Sequence, residues 1–61
     1  MNEIEKMELA AVINKNLNDY IKAADESQEK ECLARYTEST NLWKILTGTF
    51  WHKMSRDYRA A

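Results

Sequence analysis

The chain has 61 residues, a net charge of −1, one cysteine, one glycine and no proline. A chain of this length forms a single domain, residues 1–61, and buries only about 60% of the surface that its unfolded form exposes, so it has little stability to spare. One cysteine excludes an internal disulfide and is typical of a cytoplasmic protein, and no window approaches the ~20 apolar residues of a membrane span. The lack of proline and near lack of glycine predict an all-α fold.

The charges divide unevenly between the two halves of the chain. Residues 1–31 hold eight acidic side chains and four lysines, a net charge of −4, whereas residues 32–61 hold five basic and two acidic side chains, a net charge of +3. An antiparallel hairpin would lay the acidic half beside the basic half. Alternatively, the basic half meets an acidic partner, because clustered charge steers association.

The first predicted helix spans about residues 3–24. Asn2 is a good N-cap, and Glu5, three residues later, completes the spacing of a capping box. At about 100° per residue, one broad face of this helix is apolar. It carries Met7, Leu9, Ala10, Ile13, Leu17, Tyr20, Ile21 and Ala24. The pattern predicts an amphipathic helix that packs through this face.

A short polar turn separates this helix from a second, longer one. Asp25 with Gln28 repeats the capping spacing, so the turn falls within about residues 24–28 and makes the helices antiparallel. The second helix is predicted over about residues 28–58, because apolar and aromatic residues recur at spacings of three and four, as in a heptad seam. The seam consists of Leu33, Tyr36, Thr40, Trp43, Thr47, Phe50 and Met54.

Two features could interrupt this second helix. One is the weakly helical, cap-forming run near residues 38–41, and the other is Gly48 between two threonines. Leu42, Ile45 and Leu46 lie off the seam and make a second apolar face, and a helix with two apolar faces needs two partners. Either the chain breaks into three helices or this second face meets another molecule. We expect an antiparallel helical hairpin that dimerises into a helical bundle.

The segment from Leu42 to Arg59 is the candidate functional region. It interleaves aromatic rings with basic side chains, and tryptophan, tyrosine and arginine dominate binding hot spots. The residues predicted to bind a partner are Phe50, Trp51, Lys53, Met54, Arg56, Tyr58 and Arg59. The alternative is that the aromatic stripe is core or a homodimer seam. We expect Trp51 to face a partner and Trp43 to lie in the seam, nearer the middle of the hairpin.

Residues with catalytic or metal-binding chemistry do not form a recognisable site. His52 is the only histidine, and Asp57 is five residues away rather than the three or four that place side chains on one helix face. The serines lack a neighbouring base and the glycine-flanked elbow of a hydrolase. Glu26, Glu29 and Glu31 are typical of the acidic start of a helix. We expect no enzymatic activity, no metal and no cofactor.

These observations predict a small non-enzymatic protein-interaction module. It would act as an adaptor, inhibitor or regulator that docks its aromatic and basic C-terminal helix on a larger protein, and it would form a homodimer. Its size and its aromatic, basic C-terminal segment are of the kind seen in small accessory proteins of phages and bacteria that bind and modulate a larger protein, which is an analogy of type and not of motif.

Two other classes of function remain open at this point. The basic side chains of the C-terminal segment could contact the phosphates of a nucleic acid, although the acidic overall balance is atypical of that class. The same segment has the composition of an amphipathic helix at a membrane surface, without integral membrane association. The acidic N-terminal half would be repelled by anionic lipid.

Overall fold

The computed structural model describes residues 2–52, which form two helices packed against each other. Helix α1 spans Glu3–Ile21 and helix α2 spans Glu26–Thr47. A connection as short as residues 22–25 makes the two helices antiparallel. The predicted all-α helical hairpin is therefore confirmed. We call the end with the connection the turn end, and the end where α1 begins and α2 ends the open end.

Both helices begin at the caps that the sequence spacing predicts. Oδ1 of Asn2 accepts a hydrogen bond from the backbone N–H of Glu5 at 2.8 Å, and Oδ1 of Asp25 accepts one from the N–H of Gln28 at 2.9 Å. The side chain of Gln28 accepts in turn from the N–H of Ala24 at 3.2 Å. Each bond satisfies a donor at or beside a helix start, where backbone N–H groups lack intrahelical partners. The caps therefore fix where each helix begins.

Helix α2 runs without a break through residues 38–41. The hydroxyls of Ser39 and Thr40 donate to the backbone carbonyls of Tyr36 and Thr37, each at 2.9 Å. These bonds point back into the preceding turn, so the helix accommodates side chains that elsewhere compete with it. The alternative of a break near 38–41 is therefore wrong.

Helix α2 ends at Gly48, so the prediction of one continuous helix over 28–58 is also wrong. Gly48 has a φ of 75°, in the left-handed region, and its N–H donates to the carbonyl of Lys44 at 2.9 Å. A residue with a Cβ adopts this conformation only at a cost, which is why glycine is favoured there. Trp51 and His52 are again helical. The alternative of a break at Gly48 is confirmed.

The core of the described chain is small and lies toward the open end. Its buried hydrophobic side chains are Ala10, Ile13, Trp43 and Trp51, with Leu9 and Tyr36 packed against them. The rings of Trp43 and Trp51 meet edge to face, with centroids 4.9 Å apart and planes at 82°. This geometry is favourable for aromatic pairs. The expected burial of Trp43 is confirmed.

The predicted apolar face of α1 is only partly buried. Its centre, Ala10 and Ile13, is buried. The rest of this face is half-buried at Leu9, Leu17 and Tyr20 and exposed at Met7, Ile21 and Ala24. One neighbouring helix covers only a narrow stripe of an apolar face that spans more than about 100°. The flanks of α1 therefore remain accessible.

Candidate protein-interaction surfaces

An open groove of about 490 Å³ runs between the two helices on one face of the hairpin. Toward the open end it is lined by Leu9 and Val12 of α1 and by Leu42 and Ile45 of α2. The exposed fraction is 49% for Val12, 44% for Leu42 and 76% for Ile45. Contiguous exposed apolar surface is typical of interaction sites. We call these four residues the apolar groove.

Polar side chains line the same groove toward the turn end. Nδ2 of Asn16 donates to Oγ of Ser39 at 3.2 Å and makes a longer contact of 3.4 Å with the carbonyl of Arg35. Ser39 is buried, and Arg35 and Glu38 also line this end. The bonds of Asn16 cross from α1 to α2. Because buried polar groups need specific partners, they favour one register of the two helices.

A second apolar feature lies beyond Gly48, where Phe50 is 51% exposed. The ammonium of Lys44 lies 4.8 Å from the centroid of the Phe50 ring, and the His52 ring stacks on it with centroids 5.7 Å apart. Lys44 also donates to the carbonyl of Gly48 at 3.2 Å. Cations are attracted to aromatic faces at such distances. We call Lys44, Phe50 and His52 the Phe50 platform.

Trp51 lies in the core and not on the surface. It is only 4% exposed and packs against Trp43. The aromatic and basic pattern of the sequence predicts that Trp51 lies on a partner surface together with Phe50. After the left-handed turn at Gly48, however, these two adjacent rings face opposite ways, Phe50 outward and Trp51 inward. The expectation of an exposed Trp51 is corrected, and the alternative that this ring is core agrees with the structure.

The other residues predicted to bind a partner lie outside the described range. They are Lys53, Met54, Arg56, Tyr58 and Arg59. Their role stays a prediction. Within residues 2–52, the predicted partner contact that remains exposed is Phe50, and the structure adds Lys44 and His52 beside it.

The α1 side of the apolar groove has no counterpart among the predicted site residues. The apolar periodicity predicts that Leu9 lies on the packing face of α1 and predicts no role for Val12. The sequence does contain a pattern that could have identified the groove, because Leu9 and Val12 are three residues apart, as are Leu42 and Ile45. Residues three apart share a helix face, so each helix carries a second short apolar row. Leu42 and Ile45, which are predicted to lie off the seam, are exposed, and so is the seam residue Leu33.

Charged side chains of α2 pair along the helix. Lys30 lies 3.7 Å from Glu26, and Arg35 lies 2.7 Å from Glu31, both one turn apart and solvent-exposed. Such pairs contribute little to stability. They do mean that these two cations already face carboxylates.

The described residues offer no evident metal site. Among residues 2–52, no group of three or more His, Cys, Asp or Glu side chains is placed to hold a metal ion. Cys32 is a free, half-buried thiol. Neither α1 nor α2 combines the length and the apolar character of a membrane-crossing helix.

Comparisons of the chain with models of protein families, with curated proteins and with solved structures gave no match.

Proposed function

We propose that the protein is a non-enzymatic helical interaction module that acts in the cytoplasm as an adaptor, inhibitor or regulator of a larger protein. The supporting observation is the imbalance between buried and exposed apolar side chains. Among the described residues, four hydrophobic side chains are buried and nine large ones are exposed. Scattered apolar residues are ordinary on a protein surface. Here several are contiguous, which is typical of interfaces.

The Phe50 platform is the surface that docks on the larger protein. Its exposed ring is a flat apolar anchor, and Lys44 and His52 supply polar groups beside it. An aromatic anchor next to polar side chains is typical of a binding hot spot. The basic residues Lys53 and Arg56 follow closely in sequence. The complementary surface is therefore an apolar pocket with an acidic rim.

A protein accounts for these features better than a nucleic acid does. Lys30 and Arg35 each pair with a glutamate one turn earlier, and Lys44 lies over the Phe50 ring. These three cations are therefore engaged within the chain. Nucleic-acid-binding domains usually present a strongly basic face, whereas this chain has a net charge of −1.

Affinity capture with Phe50→Ala tests this proposal. The wild-type chain, Phe50→Ala and Ile21→Ala are immobilised and exposed to a lysate of the source cells, and the retained proteins are compared quantitatively. Ile21 is a matched control, because it is 68% exposed but lies at the turn end, away from the platform. We expect one protein to be retained by wild type and Ile21→Ala but depleted about tenfold or more with Phe50→Ala, since losing an aromatic anchor costs ~2 kcal/mol or more.

Circular dichroism of the three proteins checks that each is folded. Equal retention of the same proteins by all three would refute the platform as the docking surface. A gel shift with nucleic acid at low salt, or a blue shift of tryptophan emission with anionic vesicles, would favour one of the two alternative functions if Phe50→Ala abolished it.

A further inference from the structure

The described core is small for a chain that must fold alone. It contains four buried hydrophobic residues, and no residue from 14 to 38 is buried. The single cysteine rules out an internal disulfide. Domains of about 60 residues without such staples usually rely on self-association or on exceptionally tight helix packing. A second layer over one face of the hairpin would add the apolar burial that the described residues lack.

The charges of the groove favour a partner with the same charge balance. Its polar end carries one cation, Arg35, and one anion, Glu38. Glu38 would repel a strongly acidic surface, and Arg35 already pairs with Glu31 at 2.7 Å, so this end of the groove has no excess positive charge for such a surface to meet. A second copy of the chain brings the same balanced pair.

The groove is also complementary to itself under a two-fold axis parallel to the helices. Such an axis places α1 of each copy against α2 of the other and keeps every residue at its own height along the hairpin. Leu9 and Val12 of one copy then meet Leu42 and Ile45 of the other, because all four line one stretch of groove. A two-fold axis perpendicular to the helices and through the middle of the groove would instead set this apolar stretch against the polar end of the groove. The parallel axis gives a closed, isologous contact.

The available area is sufficient for a specific dimer. At 1.5 Å per residue α1 is about 28 Å long, and two packed helices are about 20 Å wide. Two such faces cover about 1,100 Å² together, which is close to the lower limit for specific interfaces. An interface of this size needs an apolar centre, and Val12, Leu42 and Ile45 supply it.

We propose that the apolar groove binds the apolar groove of a second copy of this chain, so that two hairpins form a four-helix bundle. This surface is separate from the Phe50 platform. Variants in the groove therefore test self-association without changing the residues of the Phe50 platform.

Sedimentation of wild type, Ile45→Lys and Ile21→Lys tests the dimer. Both isoleucines lie in the last turn of a helix, where a cation is favourable, and their exposed fractions are 76% and 68%. Only Ile45 lines the groove. We expect the wild type to reach twice the chain mass of 7.2 kDa at a concentration within about 1–500 µM. Ile45→Lys should raise the dissociation constant of the dimer about 30-fold or more, and Ile21→Lys should leave it unchanged.

Val12→Lys repeats the test from α1, and circular dichroism reports whether each variant stays helical. A wild-type chain that is monomeric at every concentration would overturn the proposal. A dimer whose dissociation constant changes with neither Ile45→Lys nor Val12→Lys would overturn it as well.

Cross-linking tests the arrangement without relying on lysine variants that could fail to fold. In a Cys32→Ser background, a chain with Val12→Cys is mixed with a chain with Leu42→Cys and treated with a short bismaleimide. We expect the mixed product to exceed either like product, because α1 of one copy lies on α2 of the other. Predominance of a like product, or absence of any product, would contradict the proposal.

Discussion

The two halves of the hairpin hold the helices together in different ways. Toward the open end, buried side chains such as Ile13 and Trp43 pack between the helices. Toward the turn end, no residue from 14 to 38 is buried, and Asn16 bridges the helices by its hydrogen bond to Ser39. Hydrophobic burial is strong and non-directional, whereas a hydrogen bond adds little net stability but fixes geometry. The open half therefore supplies stability and the turn half supplies register.

The open half also depends on a residue beyond both helices. Trp51 follows the turn at Gly48 and packs edge-on against Trp43. Without it, the Trp43 ring would lose one of its covering groups. The core is therefore completed by the short segment after α2, which is a tertiary feature that neither helix contains.

The largest expected effect is loss of the tryptophan pair. Trp43→Ala and Trp51→Ala should each destabilise the fold by about 3–5 kcal/mol, because both rings are buried and their removal leaves a cavity. That is a large part of the total stability of a small domain. Urea denaturation followed by circular dichroism measures the loss. Phe50→Ala is the matched control, since its ring is half-exposed, and it should change stability little. If Trp51→Ala unfolded at the same urea concentration as the wild type, the core would not depend on the Trp51 ring.

The next effect distinguishes positions along α1. Ile13→Ala should cost about 2–5 kcal/mol, because Ile13 is fully buried. Leu17→Ala, one turn closer to the turn end, should cost about half as much, because Leu17 is half-buried. Urea midpoints of the two variants give the comparison. Equal losses would show that the hydrophobic core extends into the turn half.

The sequence predicts the features of this fold that local rules control. Asn2 and Asp25 cap the helices through side chains at the expected spacing, and Trp43 is buried as its seam position predicts. The sequence does not predict whether the helix continues or ends at Gly48, because two local rules conflict there. The heptad spacing favours continuing the helix, whereas glycine favours ending it. The opposite orientations of Phe50 and Trp51 follow from that outcome.

The periodicity of the sequence also does not predict which side chains on the flanks of the helices are buried. A period of 3.6 identifies an apolar face but not how much of it one neighbouring helix covers. Val12 lies on such a flank, so the α1 side of the groove emerges only when both helices are placed. The same limit explains why Ile21, on the predicted packing face, is 68% exposed.

A smaller effect is expected from breaking the polar bridge of the turn half. Ser39→Ala should cost about 1–2 kcal/mol, because it removes the acceptor of Asn16 from a buried position. Thr40→Ala is the control, because its hydroxyl donates to the carbonyl of Thr37 within α2 and does not bridge the two helices among the described residues. Chemical denaturation measures stability, and hydrogen exchange of residues 14–38 shows whether the turn half loosens first. Uniform loss of protection along the whole hairpin would contradict a separate role for this half.

The smallest expected effect is at Gly48, and it tests what ends α2. A Cβ at Gly48 would meet no atom of residues 2–52 within 4 Å, so the expected cost of Gly48→Ala comes from its φ of 75°. That cost is about 1 kcal/mol, and Gly48→Asn should cost less, because asparagine tolerates the left-handed region better.

If the packing of Trp51 on Trp43 holds the turn in place, both variants keep the blue tryptophan emission of the wild type. If glycine alone interrupts the helix, Gly48→Ala instead raises helicity and shifts the emission to the red, because α2 then continues and carries Trp51 out of the core. We expect the first result, since burial of a tryptophan outweighs the strain of one left-handed alanine.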